Sequence, residues 1–160
     1  MPERQKIVTC LWFDNQAEEA VQHYASIFKD VKTLDVSRYG DHGPGEPGSV
    51  LTINFSIDGQ ELMGLNGGPH FKFNEAMSLV AYCETQAEVD ERWEKLSAGG
   101  SKSQCGWLKD KFGVSWQIVP VALVELMGKK DAAASGRMMA VLMKMTKLDI
   151  AELKRAYEGK

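Results

Sequence analysis

The chain has little of what marks specialised protein classes. Its 160 residues include three cysteines, Cys10, Cys83 and Cys105, widely spaced and without a C-x-x-C pair. That excludes a disulfide frame and a thiolate zinc site, and the three read as reduced thiols. Long apolar runs are missing: nothing approaches the ~18 residues a membrane span needs. The charged start leads into a short apolar stretch, Ile7 to Phe13, too brief for the apolar region of a secretory signal. Charge of one sign is missing as well, with 19 Lys and Arg against 22 Asp and Glu, interspersed, for a net charge of −3. No electrostatic footprint for nucleic acid, polybasic anchor or acidic tail is present. The expectation is a cytoplasmic protein with neither a membrane nor a nucleic acid as partner. With 44% apolar and 26% charged residues the composition is that of an ordinary globular chain, sized for one domain or two small modules.

What is there is ordered. Ile7 to Phe13 reads as a buried strand. Asn15-Gln16-Ala17-Glu18 follows with capping-box spacing, and Ala17, Ala20, Val21, Tyr24, Ile27 and Phe28 recur at helical steps. Seventy residues on, Met77 to Cys83 is again strand-like and Thr85-Gln86-Ala87-Glu88 repeats the capping box. Val89, Trp93 and Leu96 form the helical stripe, and Gly99-Gly100 end it. The tripeptide QAE at 16–18 and 86–88, in the same strand–cap–helix frame, points to internal duplication. After the first helix, Lys32 to Tyr39, Ser49 to Ile57 and Gln60 to Asn66 are strand candidates. The last two are joined by Asp58-Gly59, a two-residue hairpin signal. A Gly/Pro loop, DHGPGEPGS, crosses the surface between the first two. In the second half the return strands shrink to Ser103–Leu108 and Gly113–Val119, with a turn at Lys109-Asp110-Lys111. Pro120 closes the strands. Beyond it Asp131 caps a helix carrying Met138, Met139, Leu142 and Met145 on one side. Asp149-x-x-Glu152 caps a last one, with Ile150, Leu153 and Tyr157 inward and Gly159 at its end.

Strands covered by helices on one side leave a second face to explain. In 49–57 the apolar parity should take the helix, so Thr52, Asn54 and Ser56 point away. The two-residue turn sets them opposite Leu65, Met63 and Glu61. Such a face suits the wall of a small-molecule cavity or a plain solvated sheet, and the residues leave both open. His23, His42 and His70 are scattered and read as solvated, so no metal site is expected. Cys10 and Cys83 fit core thiols. Cys105, near Trp107, is the most reactive candidate, without a nameable base. Gly43-Pro44-Gly45 lacks the Lys-Ser/Thr of a phosphate loop, and Asn66-Gly67-Gly68-Pro69 opens no helix. Eight methionines, five of them between Met127 and Met145, suggest a packing stripe or dimer contact.

Several stretches resemble the PhnB-like branch of the vicinal-oxygen-chelate (glyoxalase/bleomycin-resistance/dioxygenase) superfamily, whose members often carry the label 3-demethylubiquinone 3-methyltransferase-like. They are Asp14 to Tyr24, LNGGPHFKF (Leu65 to Phe73), GWLKDKFGVSWQIVP (Gly106 to Pro120) and KLDIAELKRAYEG at the end. The resemblance implies an α+β fold, two βαβββ modules forming a curved mixed sheet around a shared cavity, in a homodimer. The expected organisation is one domain over 1–160, with module one at 6–70, module two at 75–120 and C-terminal helices at 121–159. Metal-dependent relatives place ligands at four strand positions, which fall here near Ile7 or Thr9, Leu62 or Met63, Ser78 or Leu79, and at Gln117. The first three offer no usual ligand. A methyl donor of the adenosylmethionine kind needs a larger doubly wound domain with a Gly-rich turn, and the sequence has neither. The expected function is therefore metal-free and cofactor-free binding of a small apolar or aromatic ligand. Thr9 and Leu11 would line the cavity from the first strand, Asn54, Met63 and Leu65 from the hairpin, and Trp107, Ser115 and Gln117 from the last strands. Trp107 would be its flat wall, or else a core aromatic. The rival expectations are a metal-assisted lyase, isomerase or dioxygenase recruiting Glu61, His70 or Gln117, and a structural or regulatory dimer with a filled core.

Overall fold

Runs of β-branched and aromatic residues become strands wherever turn residues bound them. The computed structural model describes residues 4–160, and the chain separates into two units, one up to Phe73 and the other Asn74–Lys160. The first holds β1 (Thr9–Phe13), α1 (Ala17–Ala25), β2 (Val31–Arg38), β3 (Val50–Ile57) and β4 (Gln60–Asn66). Its sheet has the order β1-β4-β3-β2, with β1 parallel to β4 and the other pairs antiparallel. Asp58 and Gly59 adopt φ of 46° and 84°, the two positive values a type I′ hairpin demands. The register that follows sets Asn54 opposite Met63, Thr52 opposite Leu65 and Ser56 opposite Glu61, as the two-residue turn predicts.

One face of this sheet carries the core. Leu11, Phe13, Ile53, Phe55 and Leu62 are buried, as are Ala17, Ala20, Val21 and Tyr24 of α1. Phe55 and Tyr24 stack with ring centroids 6.4 Å apart, and full burial of each such side chain stabilises the fold by roughly 2–3 kcal/mol. Gly64 lets the helix come close: a Cβ there would stand 3.0 Å from Ile53 Cγ2 and 3.1 Å from the Ala17 methyl.

The capping box expected at Asn15 does not form. The residue before α1 is Gln16, whose side chain makes no cap bond. Asn66 supplies the cap from β4, its Oδ1 accepting from Ala17 N–H at 2.9 Å while its Nδ2 donates to Val50 O at 3.1 Å. A long-range partner thus satisfies a helix-start donor that the local sequence leaves open. The Gly/Pro loop folds over Tyr39. The Tyr39 backbone exchanges bonds with Gly48 and Ser49, and its hydroxyl donates to Asn66 O at 2.5 Å. A Cβ at Gly45 would lie 2.2 Å from the Tyr39 ring, so the contact requires glycine.

The second unit repeats the strand order with less material. β5 (Leu79–Cys83), α2 (Gln86–Ser97), β6 (Ser101–Lys102), β7 (Trp107–Lys109) and β8 (Ser115–Pro120) give the sheet β5-β8-β7-β6, with β5 parallel to β8. Here the side-chain cap forms, with the return bond landing one residue before Thr85. Thr85 Oγ1 accepts from Glu88 N–H at 3.2 Å, and Glu88 Oε2 accepts from Glu84 N–H at 2.7 Å. β1 and β5 start two residues later than the sequence suggests. Of the strand expected at Ser103–Leu108 only Trp107 and Leu108 remain, because Cys105 and Gly106 turn with φ of 58° and 82°. Their N–H groups bond Met145 O and Thr146 O at 2.9 and 2.7 Å, not a neighbouring strand. Asp110, 2% exposed, ties the β7–β8 turn. Its Oδ1 accepts from Phe112 and Val114 N–H and its Oδ2 from Trp116 Nε1, all at 3.0 Å.

The chain after Pro120 belongs to this unit and forms α3 (Val121–Gly128), α4 (Ala132–Leu142) and α5 (Ile150–Glu158). Asp131 and Asp149 cap the last two, and Gly159 ends α5 with φ of 75°. Leu126, Met138, Leu142, Met145, Leu148 and Leu153 pack as one apolar cluster. Met139, expected on that inner side, is 38% exposed. Gln86 holds the tail, its Nε2 donating to Leu148 O at 3.1 Å and its Oε1 accepting from Ile150 N–H at 2.8 Å. Among the described residues no helix is long and apolar enough to cross a membrane.

Candidate functional site

Strand parity decides which side chains remain for a ligand. In the first sheet the face opposite α1 carries Cys10, Trp12, Met63, Leu65, Thr52 and Asn54, with Asp35 and Ser37 from β2 beside them. Met63, Leu65, Trp12 and Asn54 are half-buried. Thr9 and Leu11, expected on this face, are registered with Leu62 and Gly64 on the helix side, where Leu11 is buried. Cys10 and Trp12 stand in their place. Sequence reasoning missed them because both parities of TCLWF are apolar; the signal that separates them is Gly64, whose missing side chain admits the helix. Trp12 is fixed by a 2.9 Å bond from its Nε1 to Gly68 O and by an edge-on contact with Phe71 at 4.9 Å. Cys10 is exposed, contrary to the core role expected for it, and partial desolvation still pushes its thiol up.

Polar groups on this face are oriented. Asn54 Nδ2 donates to Asp35 Oδ1 at 2.8 Å, and Arg4 pairs with the other carboxylate oxygen. The bond from Asn54, then that from Arg4, holds the Asp35 carboxyl below its ordinary range. The hydroxyls of Ser37 and Thr52 lie 2.6 Å apart.

In the second sheet, Trp107, Ser115 and Gln117 share the uncovered parity with Val80, Tyr82 and Lys109. Trp107 and Gln117 are half-buried, whereas Ser115 is 1% exposed, its hydroxyl 3.5 Å from Asn74 O. Gln117 Nε2 lies 2.9 Å from Ser78 Oγ. A cavity of about 530 Å³ opens beside β6 and β7, and Trp107, Ser115, Cys105 and the Lys109–Glu75 ion pair line it. Cys105 Sγ rests 3.6 Å from Leu142 O and 3.9 Å from Met143 Sδ. Cys83 is buried, which raises its thiol pKa, against the opposing pull of Arg92.

The residues do not fit the metal that the family resemblance implies. Thr9 and Leu62 lie on the helix side of the first sheet. Met63 faces away from the helix, and Gln117 offers one amide oxygen beside Ser78. Among the described residues no three His, Cys, Asp or Glu lie close enough to hold an ion. They do not fit a usual adenosylmethionine site either. Each sheet has one parallel pair, and the turn from β1 into α1 is Asp14-Asn15-Gln16, without glycine.

Two four-stranded mixed sheets, each with a helix on one face, make an α+β protein. Residues 5–119 match the family model described as 3-demethylubiquinone-9 3-methyltransferase. The PhnB protein from Bacillus cereus is 39% identical over 72% of this chain and 99% of that one, with a TM-score of 0.66. The chain belongs to that family, the PhnB-like branch of the vicinal-oxygen-chelate superfamily. Protein PA1353 from Pseudomonas aeruginosa shares the fold at 19% identity, over 73% of this chain and 98% of that one, with a TM-score of 0.59. A glyoxylase/bleomycin resistance protein/dioxygenase domain from Frankia sp. EAN1pec is 16% identical over 74% of this chain and 93% of that one, with a TM-score of 0.47. No curated protein matches this sequence.

Proposed function

We propose that the protein binds a small, partly aromatic or apolar molecule against the uncovered sheet faces, without a metal ion, as a cytoplasmic homodimer. The observation that carries this reading is the face of the first sheet, where Trp12, Met63 and Leu65 leave apolar surface half-exposed around the oriented amide of Asn54. An apolar patch with a few placed polar groups beside it suits a ligand site. Trp107 and Gln117 contribute the same pairing of flat apolar surface and amide in the second unit, beside the cavity that Trp107 lines. For the dimer, Val80 and Tyr82 support a second copy as occupant. They are 42% and 57% exposed on the edge strand β5, and exposed apolar edges are normally covered. The common frame of the two units, with the same strand order, supports duplication. Methyl transfer is outside the proposal, since the chain lacks the usual donor fold.

The test is mass spectrometry of protein purified under native conditions, followed by a thermal-shift screen of small aromatic and apolar compounds. A carried molecule, or a compound that raises the melting temperature by mass action, is expected. Stoichiometric Ni, Zn, Mn or Fe in protein prepared without chelator would overturn the metal-free reading in favour of metal-assisted chemistry through Glu61, His70 or Gln117. A screen without a single stabilising compound would favour a structural dimer.

A further inference from the structure

The amide of Asn54 is asymmetric in its surroundings, and the asymmetry specifies the ligand. An ionised carboxylate accepts hydrogen bonds and has no proton to give. Because Asp35 Oδ1 lies 2.8 Å from the Asn54 amide, the group facing it must be the NH₂, and the carbonyl Oδ1 is turned toward the uncovered face. Arg4 occupies the second oxygen of Asp35, so the carboxylate is held by donors on both sides and keeps its charge, in line with its lowered pKa. The neighbouring Ser37 and Thr52 hydroxyls, 2.6 Å apart, share one hydrogen bond and keep both a lone pair and an O–H, so they take either partner and do not set the preference. Around this acceptor stand the apolar side chains of Met63, Leu65 and Trp12.

We infer that the ligand carries an N–H or O–H donor on an apolar or aromatic body, which it presents to Asn54 Oδ1, and that Asp35 is the positioning residue that turns this oxygen outward. The inference rests on the binding reading above and names the chemical class that reading leaves open. Carboxylates and phosphates, which bring no proton to this carbonyl oxygen, are not held there. Gln117 repeats the arrangement with Ser78, but a hydroxyl either donates or accepts, so Asn54 carries the argument.

Three probes of nearly equal shape test it: 4-ethylphenol, 4-ethylanisole and 4-ethylbenzoate. Each is titrated into the full chain, following the side-chain amide signals of Asn54 and the indole signal of Trp12 by two-dimensional NMR. The phenol is expected to bind about tenfold more tightly than the anisole, the value of one hydrogen bond of about 1.4 kcal/mol, and the benzoate to cause no shift. Asn54→Leu should abolish the phenol's advantage, so that phenol and anisole bind with equal affinity. Asp35→Ala, which frees the amide to rotate, should shrink the ratio of phenol to anisole affinity, a selectivity readout that a purely structural role would not move. Equal affinities, or a benzoate that binds best, would overturn the donor inference and leave the binding reading standing. If none of the three shifts either signal, the binding reading for this face falls and takes the inference with it.

Discussion

The two sheets share one strand order and are built to different depths. In the first, β2 and β3 are eight residues each, and strand pairing does most of the work of holding the hairpins. In the second, the equivalent β6 and β7 have two and three residues, too few to fix their own register. Other groups replace the lost ladder: buried Asp110 collects three N–H donors in the β7–β8 turn, and the loop between α4 and α5 takes the amides of Cys105 and Gly106. A repeated topology can therefore be held by backbone pairing in one copy and by side-chain and tail contacts in the other.

The largest expected effects probe the two cores. Phe55→Ala empties a fully buried site under α1 and should cost about 4 kcal/mol, and Leu148→Ala should remove about 3 kcal/mol from the tail cluster. Urea unfolding gives both values. If Leu148→Ala leaves β6–β7 amides as protected from hydrogen exchange as before, the tail does not substitute for the short ladder and the contrast fails.

A middle-sized effect separates the helix starts. Asn66→Ala removes both the cap on Ala17 and the bond to Val50 and should cost about 2 kcal/mol; Thr85→Ala removes a local cap and should cost about 1 kcal/mol. Equal losses in denaturant titrations would mean that the long-range cap is worth no more than the local one.

The smallest concerns pH. Asp90 bonds Gln86 and pairs with Lys147, in that order of influence, and its carboxyl lies below the ordinary aspartate value. A lowered folded pKa gives stability that is complete above about pH 4 and lost as pH falls through the folded value. The pair is solvent-exposed, so Asp90→Asn should flatten the acid limb of the stability curve by less than about 1 kcal/mol, measured as melting temperature between pH 2 and 6. A steeper limb in the variant would contradict the sign.

Much of this architecture is legible in the sequence because local signals coincide with the fold. Alternation in 49–57, the Asp58-Gly59 turn and the Thr85 box each specify their element with neighbours in the chain, and the Asn54–Met63 register follows from the turn alone. What escapes is set by distant partners or by uniform chemistry. Nothing near Asn15 tells that Asn66 caps α1. The facing of Thr9 and Leu11 is unreadable because TCLWF is apolar on both parities, and the place of Trp12 on the candidate face is hidden with it. Cys105 leaves its expected strand because backbone acceptors some forty residues later take its amide. The Asp35–Asn54 contact depends on the β2 register, which shifts at a bulge between Thr33 and Asp35 that no residue pattern announces.

Asn66 has one further consequence. Its side chain reaches the start of α1 and the backbone of Val50, and its carbonyl receives the Tyr39 hydroxyl around which the Gly/Pro loop is wrapped. Helix, hairpin and loop are thus tied at a single residue, by its side-chain amide and its backbone carbonyl. Loosening the loop and fraying the helix become one cooperative event, and a seemingly ornamental surface excursion sets how tightly the first helix is fastened to its sheet.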